Sequence, residues 1–168
     1  MTSFSLTADA PGGLPLAGLY TTNDVATAAL PVDLATDTWR TILRVVVPVE
    51  AGDVLDVGAW FKVTNDVGYN VGVGAHLWAY DVDSGQGTAG PWWRLDAVAG
   101  SVGMNVTKDL HHLTLPVAVP YVVPEGWPAG HRIVIVLRAD AHSTAWKAGD
   151  TLTVDKVGRL TVRRYVPA

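Results

Sequence analysis

The chain has no cysteine among its 168 residues, so neither a disulfide framework nor a thiolate metal site is open to it. Charged residues make up only 17%, and no lysine or arginine occurs before Arg40. With a net charge of −4 the chain lacks the basic surface of a nucleic-acid binder. No stretch approaches the roughly 18 apolar residues of a membrane span, so no membrane partner is expected. The start, Met1-Thr-Ser-Phe-Ser-Leu-Thr-Ala8, has neither a basic segment nor a long apolar one, and the expectation is folding in a cytoplasm without a signal peptide. Helical periodicity never persists beyond about three turns.

What is present is β-chemistry. Nearly half the residues are hydrophobic, which excludes a disordered chain, and valine, threonine, glycine and proline dominate. The run Arg132-Ile-Val-Ile-Val-Leu-Arg138 organises the C-terminal part. Ile133, Ile135, Leu137 and Ala139 share one face, Val134 and Val136 the other, and Arg132 and Arg138 mark its rims. Thr151–Val154 and Arg159–Val162 read as a hairpin about Lys156-Val157-Gly158. Upstream, Trp39–Val47 reads as a strand. Val54–Thr64 alternates with Leu55, Val57, Ala59, Phe61 and Val63 inward, and Tyr69–Tyr80 with Val71, Val73, Ala75 and Leu77 inward. A short strand ends at Val98, Gly100–Asp109 reads as an irregular connection, and Leu113–Val119 alternates again before Pro120 and Pro124 confine the chain to an edge or loop.

The expected fold is all-β, an antiparallel β-sandwich of seven to nine strands, jelly-roll-like, with an irregular N-terminal arm. Residues 1–38, interrupted by Pro11-Gly-Gly13, Pro15, Gly18 and Pro31, form the arm or a cover with a short edge strand, and 39–168 form the sandwich. Asn23–Ala29 has the makings of one or two helical turns, capped by Asn23 or Thr22. Glu50-Ala-Gly-Asp53 and Lys147-Ala-Gly-Asp150 echo each other, each a turn leading into an alternating run.

Little in the sequence suggests catalysis. The histidines 76, 111, 112, 131 and 142 form no metal-ligand spacing, and His111 and His112 would point to opposite faces of a strand. Asp81-x-Asp83-x-Gly85 opens like a calcium loop, but Gln86 stands where glycine is needed and Trp92 where glutamate is needed, so a turn is expected. Neither a nucleophile elbow nor a phosphate loop occurs. No catalytic residue, metal or cofactor is therefore expected.

Two surface features remain. Seven tryptophans are many for this length, and Trp60, Trp78, Tyr80, Trp92 and Trp93 are candidates for a protein interface or a glycan platform. Charge is also uneven. Residues 1–131 carry 5 Lys/Arg against 13 Asp/Glu, net −8, while 132–168 carry 7 against 3, net +4. Arg159, Arg163 and Arg164 are accordingly candidates for contact with an acidic surface on a neighbouring subunit.

The series Gly68-Tyr-Asn-Val-Gly-Val-Gly74, Asn105-Val-Thr-Lys-Asp-Leu-His-His112, Val123-Pro-Glu-Gly-Trp127, Ala148-Gly-Asp-Thr-Leu-Thr-Val154 and Leu160-Thr-Val-Arg-Arg-Tyr165 resembles the β-sandwich virion proteins of tailed phages infecting actinobacteria. These are minor tail proteins, and similar folds serve as capsid decorations. The resemblance covers roughly residues 40–168. It implies a non-enzymatic structural role, assembled in the host cytoplasm and carried on the virion. The expected partners are other copies of the chain, with a trimer as one form of assembly, and other virion proteins; the alternative reading is a carbohydrate- or receptor-binding module that uses exposed Trp and Tyr on a host-surface glycan.

Overall fold

A computed structural model describes residues 13–34, 38–86, 93–95 and 102–167, with backbone only for 93, 94, 102 and 103. Its strands are β1 (Leu16–Thr22), β2 (Ala29–Asp33), β3 (Arg40–Pro48), β4 (Val54–Thr64), β5 (Val71–Asp81), β6 (Trp93–Arg94), β7 (Val102–Val106), β8 (Leu113–Val122), β9 (Arg132–His142) and β10 (Thr151–Tyr165). No helix occurs among the described residues.

Two sheets face each other. In the first, β10 lies between β4 on one side and β2 then β1 on the other, and β8 pairs the far side of β4. In the second, β9 lies between β3 and β5, and β7 and β6 pair the far side of β5. The strand β2 belongs to both. Its start pairs antiparallel with β10, and its end runs parallel to β9 through Val32↔Ala141 and Asp33↔His142. The resulting order, β1-β10-β4-β8 against β3-β9-β5-β7, is a double-sheet jelly roll.

Alternation builds the core. Leu55, Val57, Ala59, Phe61 and Val63 of β4 meet Val71, Val73, Ala75 and Leu77 of β5, all buried. The central strand β9 is buried on both faces. Ile133, Ile135, Leu137 and Ala139 enter the main core, while Val134 and Val136 pack with Tyr80 on the outer side of the second sheet. The edge strand β8 sends Leu115, Val117 and Val119 inward. Its prolines, Pro116 and Pro120, lack the N–H that an interior strand would have to donate.

Three expectations need correction. The hairpin over 151–162 is one continuous strand. Between the pairs Val154↔Val63 and Gly158↔Phe61, three residues of β10 oppose only Lys62, so Lys156 and Val157 form a bulge and the chain does not reverse. Two extra residues are an even number, so Leu152, Val154, Leu160 and Val162 all still point inward. The irregular connection at Gly100–Asp109 contains β7, whose Val106 is buried, because Val102, Met104 and Val106 alternate behind a glycine-rich surround. The helical turns at Asn23–Ala29 do not form. The Ala26 N–H is donated to the Ile42 carbonyl and the Thr27 hydroxyl to the Thr41 carbonyl, which ties this stretch to β3. More broadly, residues 16–33 of the segment read as an arm supply two strands of the sheets.

The two echoing Ala-Gly turns have the same geometry. Gly52 and Gly149 sit at φ +84° and +93°, and in each turn the aspartate N–H bonds the carbonyl three residues earlier. Positive φ at the third residue is the type II signature that favours glycine. Pro128-Ala-Gly-His131, leading into β9, repeats the arrangement.

Candidate functional site

The aromatic residues singled out in the sequence fall on different surfaces. Trp60 lies on the outer face of the first sheet, opposite Arg159 on β10 and Pro116 on β8. With Gly58, Thr161 and Arg163 it lines a shallow trough of about 520 Å³. Trp78 and Tyr80 lie on the outer face of the second sheet. Tyr80 is only 2% exposed, packed on Val134 and Val136. Trp78 meets Trp39 edge-on at 6.4 Å, with the Arg138 guanidinium 5.7 Å from its ring centre. Trp93 pairs through its backbone with Ala79, its side chain lies outside the described residues, and so does all of Trp92. Trp60 and Trp78 thus face away from each other and share no platform.

The arginines also divide. Arg164 turns into the molecule and bonds Asp53, Nε to Oδ2, at 2.6 Å. Arg163 pairs with Asp56 at 3.0 Å, both half exposed, and Arg159 donates to the Asn23 carboxamide oxygen at 3.2 Å. Arg159 and Arg163 therefore stand in one row on the outer face of the first sheet. Leu19, 60% exposed, lies beside Arg163 on β1.

On the second sheet the outer face carries a polar group set over glycines. Gly72 and Gly74 of β5 face His142 and Asp140 of β9. A Cβ on Gly72 would stand 2.5 Å from His142 Nε2, and one on Gly74 would collide with Asp140 Oδ1. His76 and Trp39 pack edge-on at 4.7 Å beside them. Burial lowers the pKa of the Arg138 guanidinium.

The carboxylates of the 81–85 turn have partners of their own. Asp81 Oδ2 bonds His131 Nδ1 at 2.8 Å, and its Oδ1 accepts the Asp83 N–H. Asp83 receives the Arg132 backbone N–H, Nε and Nη2, and these bonds hold its carboxyl at about 2. Near the start of β8, His112 Nδ1 lies 2.6 Å from Asp155 and His111 Nε2 lies 3.8 Å from Asp66. Among the described residues no group of three or more His, Asp or Glu is placed to hold a metal ion.

One cleft escaped the sequence reading. It measures about 560 Å³ and is lined by Tyr121, Pro124 and Trp127 on one side and by Asp81, Ser84 and Gln86 on the other. Asp81 continues the inward series of β5 and Tyr121 that of β8, so the cleft is the open end between the two sheets. Trp127 is nearly buried, and its Nε1–H is donated to the His131 carbonyl at 3.1 Å. The two walls are far apart in sequence. The only sequence signal was a tryptophan among prolines and glycines in a connection.

No protein-family model matches the sequence, and no curated protein matches it. Solved structures do match its fold. A chain of the infectious bursal disease virus VP2 subviral particle is 13% identical, with a TM-score of 0.52, over 98% of this chain and 37% of that one. A chain of the Gx strain of the same virus is 14% identical, with a TM-score of 0.51, over 97% and 37%. A chain of an IBDV viral particle is 13% identical, with a TM-score of 0.53, over 98% and 36%. This chain therefore spans little more than a third of the length of those it matches. At such identities the likeness is one of fold, and the jelly roll described above is a fold shared with chains of viral particles.

Proposed function

We propose that this chain is a structural component of a virion, present in several copies and acting through protein–protein contacts rather than catalysis. The observation that carries the reading is the whole-chain likeness to chains of viral particles, which extends from the first described strand to the last.

The narrower form of the proposal follows the sequence resemblance. It is a minor tail or capsid decoration protein of a tailed phage of actinobacteria, assembled in the host cytoplasm and carried on the virion. Arg159 and Arg163 make subunit contacts from the outer face of the first sheet, joined by the N-terminal segment 1–38. Arg164 is left out of that set because it is engaged with Asp53.

Sedimentation of the double variant Arg159→Glu/Arg163→Glu tests the contact surface. Reversing two exposed charges is expected to dissociate the assembly while leaving the thermal unfolding of the subunit nearly unchanged. A variant that assembles like the parent removes this face from the contact.

A further inference from the structure

The cleft between the sheet ends has walls of opposite chemistry. Tyr121, Pro124 and Trp127 give an apolar wall, while Asp81, Ser84 and Gln86 give a polar one. We propose that this cleft binds the end of a neutral glycan. A pyranose ring has the matching two-sided character, with a C–H face that packs on aromatic carbon and a rim of hydroxyls that need donors and acceptors. Aromatic walls supply contact area at little entropic cost, and a carboxamide such as that of Gln86 both donates and accepts. The volume of about 560 Å³ lies in the range of small-ligand pockets and leaves room for a short oligosaccharide.

The backbone turn that carries the polar wall is ordered in advance. The Ser84 hydroxyl donates to the Asp81 carbonyl at 3.0 Å and accepts the Gln86 N–H at 3.3 Å. Asp81 is itself held by His131 and by the Asp83 N–H. A wall fixed by its own hydrogen bonds loses little freedom when a ligand arrives.

Charge and donor placement narrow the ligand. Among the described lining residues there is no lysine or arginine, and Asp81 contributes a carboxylate, so sulfated, phosphorylated and sialylated sugars are disfavoured. A proline-rich peptide would seek donors along an aromatic groove. Here the Trp127 N–H, the indole donor of that wall, is already committed to the His131 carbonyl. The inference goes beyond the virion reading and does not depend on it, because binding is measured on the isolated chain whatever its assembly.

The test is calorimetry on the full-length protein with neutral trisaccharides of glucose, galactose and N-acetylglucosamine. A sulfated trisaccharide and a proline-rich decapeptide serve as rival probes. At least one neutral series is expected to bind, and Gln86→Ala to weaken it about tenfold, the scale of one or two lost hydrogen bonds. Tyr121→Ala is expected to abolish binding. Because Tyr121 is half-buried, the exposed Gln86 variant decides the matter if the tyrosine variant misfolds. Trp60→Ala, on the outer face of the first sheet, is expected to change nothing. Absence of neutral-sugar binding at millimolar concentration overturns the proposal. So does binding unaffected by Gln86→Ala, or preference for either rival probe.

Discussion

Arg164, near the end of the last strand, places its Nε 2.6 Å from Oδ2 of Asp53, a carboxylate only 1% exposed where the chain enters β4. The same oxygen accepts the Glu50 N–H at 2.8 Å, so one buried carboxylate holds both the Glu50–Asp53 turn and the end of β10. Removing either partner strands the other charge in a poorly solvated position.

Asp53→Ala is therefore expected to cost about 3–5 kcal/mol in urea unfolding. Arg163→Ala, which breaks the half-exposed pair with Asp56 one residue earlier on the same strand, is expected to cost less than about 1 kcal/mol. The double variant Asp53→Ala/Arg164→Ala should lose less than the sum of its single variants, because the two side chains are one interaction. Equal effects of the Asp53 and Arg163 variants would show that the buried pair has no special role.

Acid acts on a different pair. The Arg132 hydrogen bonds hold the Asp83 carboxyl at about 2, below the ordinary 3.8. A depressed carboxyl binds its proton more readily in the unfolded chain. Its contribution to stability is thus fully present above the ordinary value and is lost as pH falls from about 4 through about 2. Asp83→Asn is expected to lower stability near neutrality and to flatten the profile in that window, so that variant and parent converge as pH falls to about 2. An NMR titration placing the Asp83 midpoint near 3.8 would contradict this.

The glycines under His142 and Asp140 are expected to respond unequally. In Gly74→Ala the new methyl meets Asp140, which is fully buried and has no room to withdraw, so an overpacking loss of about 1–3 kcal/mol is expected. In Gly72→Ala it meets the half-exposed His142 ring, which can swing outward. His142→Ala should then restore most of the smaller loss in Gly72→Ala while leaving Gly74→Ala unrescued. Thermal unfolding of the three single variants and the two double variants decides it.

Strands with clean alternation were legible in the sequence. Val54–Thr64 and the two-faced run around Ile135 appear in the structure with the inward residues their patterns imply. Two features were hidden for physical reasons. The bulge at Lys156-Val157-Gly158 has the composition of a turn, and only pairing with β4, a non-local fact, shows that the chain runs on. The strand β7 is short and carries Gly103, which conceals the alternation of Val102, Met104 and Val106. The site was less legible than the fold. Arg164 looks like its neighbour Arg163 in sequence, yet strand parity and the position of Asp53 send one inward and one outward. The cleft joins the ends of β5 and β8, strands whose meeting no local pattern announces.

The central claim is that the chain functions by assembling. Light scattering of the purified full-length protein at about 0.1 M and about 1 M salt measures that directly, since the screening length falls from about 10 Å to about 3 Å between them. The account predicts a mass several times the 17.8 kDa of one chain at the lower salt and a smaller one at the higher, as the contacts of Arg159 and Arg163 are screened. A mass of one chain at both salts, unchanged with protein concentration, would contradict it.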